Sequence, residues 1–158
     1  MKQLIILAAL LGVAYFGFNH FSPKFGSPKV TDPYYVEIRV SYPHESINLV
    51  GFGLMHSLQE CQAESESIWL KALKHVGKVN VSTDCKKELP AKYQKLFDNK
   101  PFDATYITLD PQHESERKGR FVIYGVPSSL MQSRCEALIN QTQNQYRGKV
   151  NCIKGNVG

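Results

Sequence analysis

Several chemistries are excluded by what the chain lacks. Its four cysteines include no C-x-x-C pair, and only one of them, Cys61, has a histidine (His56) within a few residues. Both the redox-active dithiol and the usual zinc spacings are therefore missing. No G-x-S-x-G elbow occurs, and no acidic residues fall at EF-hand spacing. Gly51-Phe52-Gly53 opens like a dinucleotide fingerprint but has no third glycine at the required distance, so it reads as two glycines easing a strand. The lysines and arginines are scattered among Asp and Glu, and no basic stripe interleaved with aromatics exists to track a phosphate backbone. Nucleic acid is not an expected partner, and neither a metal nor a cofactor is expected.

No stretch is both poor in hydrophobics and dense in charge, so no disordered tail is indicated. With 42% hydrophobic and 21% charged residues, the 158-residue chain has the composition of a globular protein and room for one ordinary domain plus a leader. The formal charge of +5 is a mild excess and fits a solvated surface.

Charge is wholly missing from Leu4 to Phe18, a run preceded by Lys2. That is the n-region and h-region order of an export signal. No clean small-x-small site follows the run, and Tyr15, Phe16, Phe18 and Phe21 suit an interfacial belt, which favours an anchor over residues 4–21. As a helix the run spans roughly 22 Å against a hydrocarbon core of about 30 Å, which favours a cleaved signal instead. Both readings stay open. Residues 22–33 hold closely spaced prolines and small polar residues and read as a linker.

Beyond a leader of this kind, Cys61, Cys85, Cys135 and Cys152 read as two disulfides, because thiols persist poorly outside the cytoplasm. The pairing follows from the element order. Val36, Ile38 and Val40 alternate with polar residues over Tyr34–Ser41, predicting a strand, and Ile47–Leu54 predicts its hairpin partner. From Leu58 to Val76 the apolar residues recur at helical spacing, with Ser57 as the cap, Cys61 on the buried stripe and Gly77 as the stop. A short strand over Lys78–Ser82 leads to Cys85, and a second helix over Glu88–Asp98 has Pro90 in its first turn.

The order then recurs: strands over Asp103–Leu109 and Arg120–Val126, a helix from Ser128 or Ser129 bearing Cys135, and a strand over Lys149–Ile153 bearing Cys152. Ile38 and Val40 align with Ile107 and Leu109, His44-Glu45-Ser46 with His113-Glu114-Ser115, Gly51 with Gly125, and Cys61 with Cys135. Tandem duplication of a ββαβ unit accounts for this. If each helix covers the strand that follows it, Cys61 joins Cys85 and Cys135 joins Cys152, each bridge worth roughly 3 to 3.5 kcal/mol in the chain-entropy model.

The expected architecture is α+β, a two-layer sandwich built from the duplication, ferredoxin-like or similar, with both long helices on one face. Residues 34–158 form the domain, with pseudo-repeats over 34–85 and 103–154. In its order of strand, small-polar turn, helix and strand, RFVIYGVPSSLMQSRCEALINQTQ and the strand after it resemble the cell-wall-binding SPOR domains over about 35 residues. The cysteines are outside that family's pattern, and the likeness is one of element order alone.

Of the five histidines, His44 and His113 stand beside Glu45 and Glu114 in the two polar hairpin turns. They form a candidate surface site if the turns meet in space. No constellation names a reaction, so the expectation is a non-enzymatic, extracytoplasmic envelope domain that binds a protein or cell-wall component. It would be held at the inner membrane by residues 4–21, or secreted if the leader is cleaved. The alternatives are a small envelope enzyme or inhibitor acting through His44, Glu45, His113 and Glu114, and a structural subunit of an envelope complex.

Overall fold

Strict alternation of side chains along the strands determines which residues meet the helices. The computed structural model describes residues 29–44, 46–65, 79–112, 118–143 and 148–156. Its elements are β1 (Tyr34–Tyr42), β2 (Ile47–Met55), α1 (Leu58–Glu64), β3 (Asn80–Lys86), α2 (Ala91–Gln94), β4 (Tyr106–Asp110), β5 (Gly119–Tyr124), α3 (Ser128–Gln143) and β6 (Lys149–Ile153). The strands form one six-stranded sheet in the order β3-β1-β2-β5-β4-β6, and every neighbouring pair is antiparallel.

On one face Val36, Ile38, Val40, Leu49, Ile107, Leu109, Phe121 and Ile123 are buried with Cys61 of α1 and Met131 and Cys135 of α3. Burying each large apolar side chain contributes about 1.5 to 3 kcal/mol, so this cluster is the main source of stability. Ser57 caps α1: its Oγ accepts from Glu60 N at 3.1 Å, and Glu60 Oε2 accepts from the N–H of His56, the residue before the cap, at 2.6 Å. Gln143 ties the end of α3 to β6, donating to Gly148 O at 2.9 Å and accepting from Val150 N at 3.3 Å. The bridges are Cys61–Cys85 and Cys135–Cys152, each with Cα atoms 6.0 Å apart, and each clamps a helix to the strand after it.

The two-layer reading needs correction. Val50, Phe52, Tyr106 and Val122 make the central strands apolar on the second face too, and the chain from Lys87 to Ala104 folds across them. Leu89, Tyr93, Leu96 and Phe102 supply its buried contacts. In place of a helix over Glu88–Asp98 there is only the single turn α2, followed by turns whose N–H groups from Leu96 to Asn99 bond to carbonyls three residues back. Arg120 fastens this cover. Its side chain is 1% exposed and donates Nε to Leu96 O at 2.9 Å and Nη2 to Asp110 Oδ1 at 2.6 Å. The Phe97 ring lies 5.1 Å from the guanidinium carbon.

Each half runs strand, strand, helix, strand, and the halves occupy the sheet as β3-β1-β2 and β6-β4-β5. Cys85 faces Val36 and Cys152 faces Ile107, so the bridged strands do not keep the sequence alignment of Ile38 with Ile107. Gly51 lies inside β2, whereas Gly125 lies beyond β5 at φ +82, so these two are not counterparts.

Among the described residues no helix is long and apolar enough to cross a membrane. The run from Leu4 to Phe18, most of the linker, and the expected helix beyond Ser65 lie outside the described residues.

Candidate functional site

The cover over the second face stops short of the β3 side of the sheet, and the strip left open is polar. Alternation puts Asn80 and Ser82 of β3, Arg39 and Ser41 of β1, and Asn48 and Val50 of β2 on this strip. The register places Ser82 opposite Arg39 and Arg39 opposite Val50, with Asn80 opposite Ser41 and Ser41 opposite Asn48. Lys92 and Tyr93 of α2 and Tyr124 of β5 make the wall, enclosing a groove of about 550 Å³. Val40, Leu49 and Val81 also line it, but their side chains belong to the cluster on the helix face. At these three positions the groove meets main chain.

Two cations stand in the groove, and its lining holds no carboxylate and no histidine. The Arg39 side chain is 51% exposed, and its Nε donates to Glu37 Oε1 at 2.5 Å. Glu37, 4% exposed, also accepts from Lys86 Nζ at 2.7 Å. One buried carboxylate thus serves two cations, and Lys86 Nζ also lies 3.5 Å from Asp84 Oδ2. Burial works against the charge on Arg39, but the hydrogen bond and ion pair with Glu37 outweigh it and raise its pKa. The hydrogen bond to Glu37 raises that of Lys86. Lys92 Nζ is 3.2 Å from Asp103 Oδ2 in an exposed pair, a contact of small energy that is readily exchanged. The same ammonium lies 5.7 Å from the centres of both the Tyr93 and Tyr124 rings. The buried Tyr124 hydroxyl has no hydrogen bond of good geometry among the described residues. Burial and the neighbouring Tyr93 phenol raise its pKa.

His44 is exposed in the β1–β2 turn, while Glu45, His113 and Glu114 lie outside the described residues. The bases of the two turns are described, and they lie at opposite ends of the sheet. A Cβ on Gly125, just past β5, would run into the Ser46 carbonyl of the first turn, whereas Leu54 N donates to Lys118 O, the last residue of the second, at 3.1 Å. The intervening length of β2 is roughly 24 Å at about 3.4 Å per residue. The bases of the two turns thus stand apart along β2, and the placement of Glu45, His113 and Glu114 themselves lies outside the described residues. Ser115 and Lys118 spell S-x-x-K in the second loop, with Ser115 likewise outside the described residues. Among the described residues no group of His, Cys, Asp or Glu could hold a metal ion.

The groove residues were individually plain in the sequence: two serines, two asparagines, and an arginine on the polar side of an amphipathic strand. Their signal is the parity of Arg39 and Ser41 in β1, but only the crossover that places β3 beside β1 brings Asn80 and Ser82 to them. No family model matches the chain, and no curated protein or solved structure matches it.

Proposed function

We propose that this chain is a non-enzymatic, extracytoplasmic binding module that uses the groove beside α2 to hold an envelope protein or cell-wall component. The observation that carries the reading is the lining, with two cations, four small amide or hydroxyl side chains, and neither histidine nor carboxylate to act as a general base. The two disulfides support an oxidising compartment. The uncharged run from Leu4 to Phe18 supports export, with residues 4–21 as an inner-membrane anchor or, if cleaved, a secretion signal. Shared element order and bridge position in the two halves favour descent by tandem duplication of a ββαβ unit.

Two measurements test the reading. Intact mass from membrane and soluble fractions should show a chain about 4 Da lighter than its reduced form, two hydrogens per bridge. The full chain should also sediment with isolated envelope material, and the double variant Arg39→Gln/Lys92→Gln should not. Free thiols in a soluble full-length chain would remove the case for export. Equal sedimentation of the double variant would remove the groove as the binding face.

A further inference from the structure

We infer that the ligand of the groove is an acidic sugar, a carboxylate carried on a ring of hydroxyls, either free or as a residue of a polymer. The inference rests on the groove being the binding face, as proposed above, and goes on to its chemistry.

Charge sets the first requirement. Arg39 and Lys92 share a lining without carboxylates; Arg39 pairs with Glu37, which Lys86 also engages, and Lys86 pairs in turn with Asp84. A bound carboxylate would take charge-assisted hydrogen bonds from a guanidinium or an ammonium at modest cost, since the ion pair of Lys92 with Asp103 is exposed.

The neutral side chains set the second requirement. Ser41, Asn48, Asn80 and Ser82 each carry both donor and acceptor capacity. Phosphate or sulfate oxygens at pH 7 mainly accept, and would leave the acceptors of such a lining unused. A sugar hydroxyl both donates and accepts, so a ring of hydroxyls matches the lining group by group.

Shape and polarity set the third. A groove of about 550 Å³ is of small-ligand size. A peptide laid along a sheet draws specificity from apolar pockets for alternate side chains. Here Val50 is the one aliphatic side chain that alternation directs into the strip. Hydroxyls suit such a floor better than peptide side chains do.

The test uses the full chain in detergent at low ionic strength, titrated calorimetrically with a linear trimer of galacturonic acid. The comparison ligands are its methyl ester, the free monomer and hexaglutamate. The trimer should bind, and the ester should bind about tenfold more weakly, the usual cost of one charge-assisted hydrogen bond. Arg39→Gln and Lys92→Gln should each weaken the trimer by a similar factor, and Lys149→Gln, at the far edge of the sheet, should not. If Arg39→Gln disturbs the fold through Glu37, Lys92→Gln alone decides. Monomer binding as tight as the trimer's assigns a free acidic sugar, and a clear preference for the trimer assigns a polymer. Absence of trimer binding, equal binding of the ester, or tighter binding of hexaglutamate overturns the inference. Should the chain sediment with envelope material through Arg39 and Lys92 while the trimer neither binds nor competes, the sugar assignment fails and the binding module stands. Trimer binding without groove-dependent sedimentation has the reverse meaning.

Discussion

The Phe121 ring lies over the bare Cα of Gly51, the residue opposite it on β2: a methyl group at Gly51 would stand 2.9 Å from ring carbons Cδ1 and Cε1. Phe121 is fully buried at the seam between the two halves of the sheet. Glycine is required there by the ring above it, since the backbone at Gly51 is ordinary strand.

Gly51→Ala should therefore destabilise the fold despite alanine's better strand behaviour. Overpacking a filled core costs typically about 1 to 3 kcal/mol, and the second variant Gly51→Ala/Phe121→Leu should recover part of it by making room. Urea unfolding checks both. A Gly51→Ala protein as stable as the parent would mean that the ring moves freely, and the seam would not be close-packed.

Arg120 is the second point of leverage, because one buried guanidinium holds the Lys87–Ala104 cover to the sheet through Leu96 O and Asp110. Arg120→Ala leaves a buried carbonyl and a carboxylate without their partner, and breaking a buried pair costs about 3 to 5 kcal/mol. Because Asp110 is partly open to solvent, a value at the low end is expected. Hydrogen exchange should rise first at Tyr93, Leu96 and Phe97. Equal protection there in the variant and the parent would show that the cover is held by its aromatic contacts alone.

The sequence revealed strands and bridges better than it revealed either feature of the second face. β1 and β6 alternate, and β2 is an apolar run behind a turn signal, so the ends of all three fell within a residue of the reading. The cysteine pairing followed because each helix lies over the strand that succeeds it in the chain. The cover was misread because Leu89, Tyr93, Leu96 and Phe102 obey no single period. Proline at position 90 and Asn99 at φ 55 interrupt what three of them suggest as a helix. Arg120 opened an apolar stretch and looked like a strand's polar start, although it shares parity with Val122 and Tyr124. The groove was hidden for another reason: it joins β3 to β1 and α2 to both, contacts that no local pattern encodes.

The disulfides give a third prediction. Cys61 and Cys85 are 24 residues apart and Cys135 and Cys152 are 17 apart. In the chain-entropy model each bridge contributes roughly 3 kcal/mol, with the first larger by only about 0.3 kcal/mol. Replacing either pair by Ser/Ser should lower stability by similar amounts, and losing both should remove about 6 to 7 kcal/mol, a large share of the roughly 5 to 15 kcal/mol usual for a domain. A loss below about 1 kcal/mol for one pair would show that its half is held by packing, and that the two halves differ despite their matching order.

Alkaline pH should weaken the fold, and the sign follows from the direction of the shifts. Burial raises the pKa of Tyr35, although Lys87 opposes it, and burial raises that of Tyr106 against the influence of Arg120. Burial also raises that of Tyr124, with the Tyr93 phenol adding to it, and the hydrogen bond to Glu37 raises Lys86. In every case the protonated form is favoured in the folded state, so the unfolded chain loses its protons first. The stability these groups contribute is complete below their unfolded pKa values, near 10 for tyrosine and about 10.4 for lysine. It declines as pH rises from there through the folded values. Urea midpoints at pH 7 and pH 9 should nearly coincide, those at pH 10.5 and 11 should fall progressively, and Tyr124→Phe should flatten that fall. Phenolate absorbance should lag in the folded protein and appear together with unfolding. A midpoint unchanged up to pH 11 would mean that these tyrosines ionise as easily in the fold as outside it, and Tyr124 would then belong to an open, solvated wall of the groove.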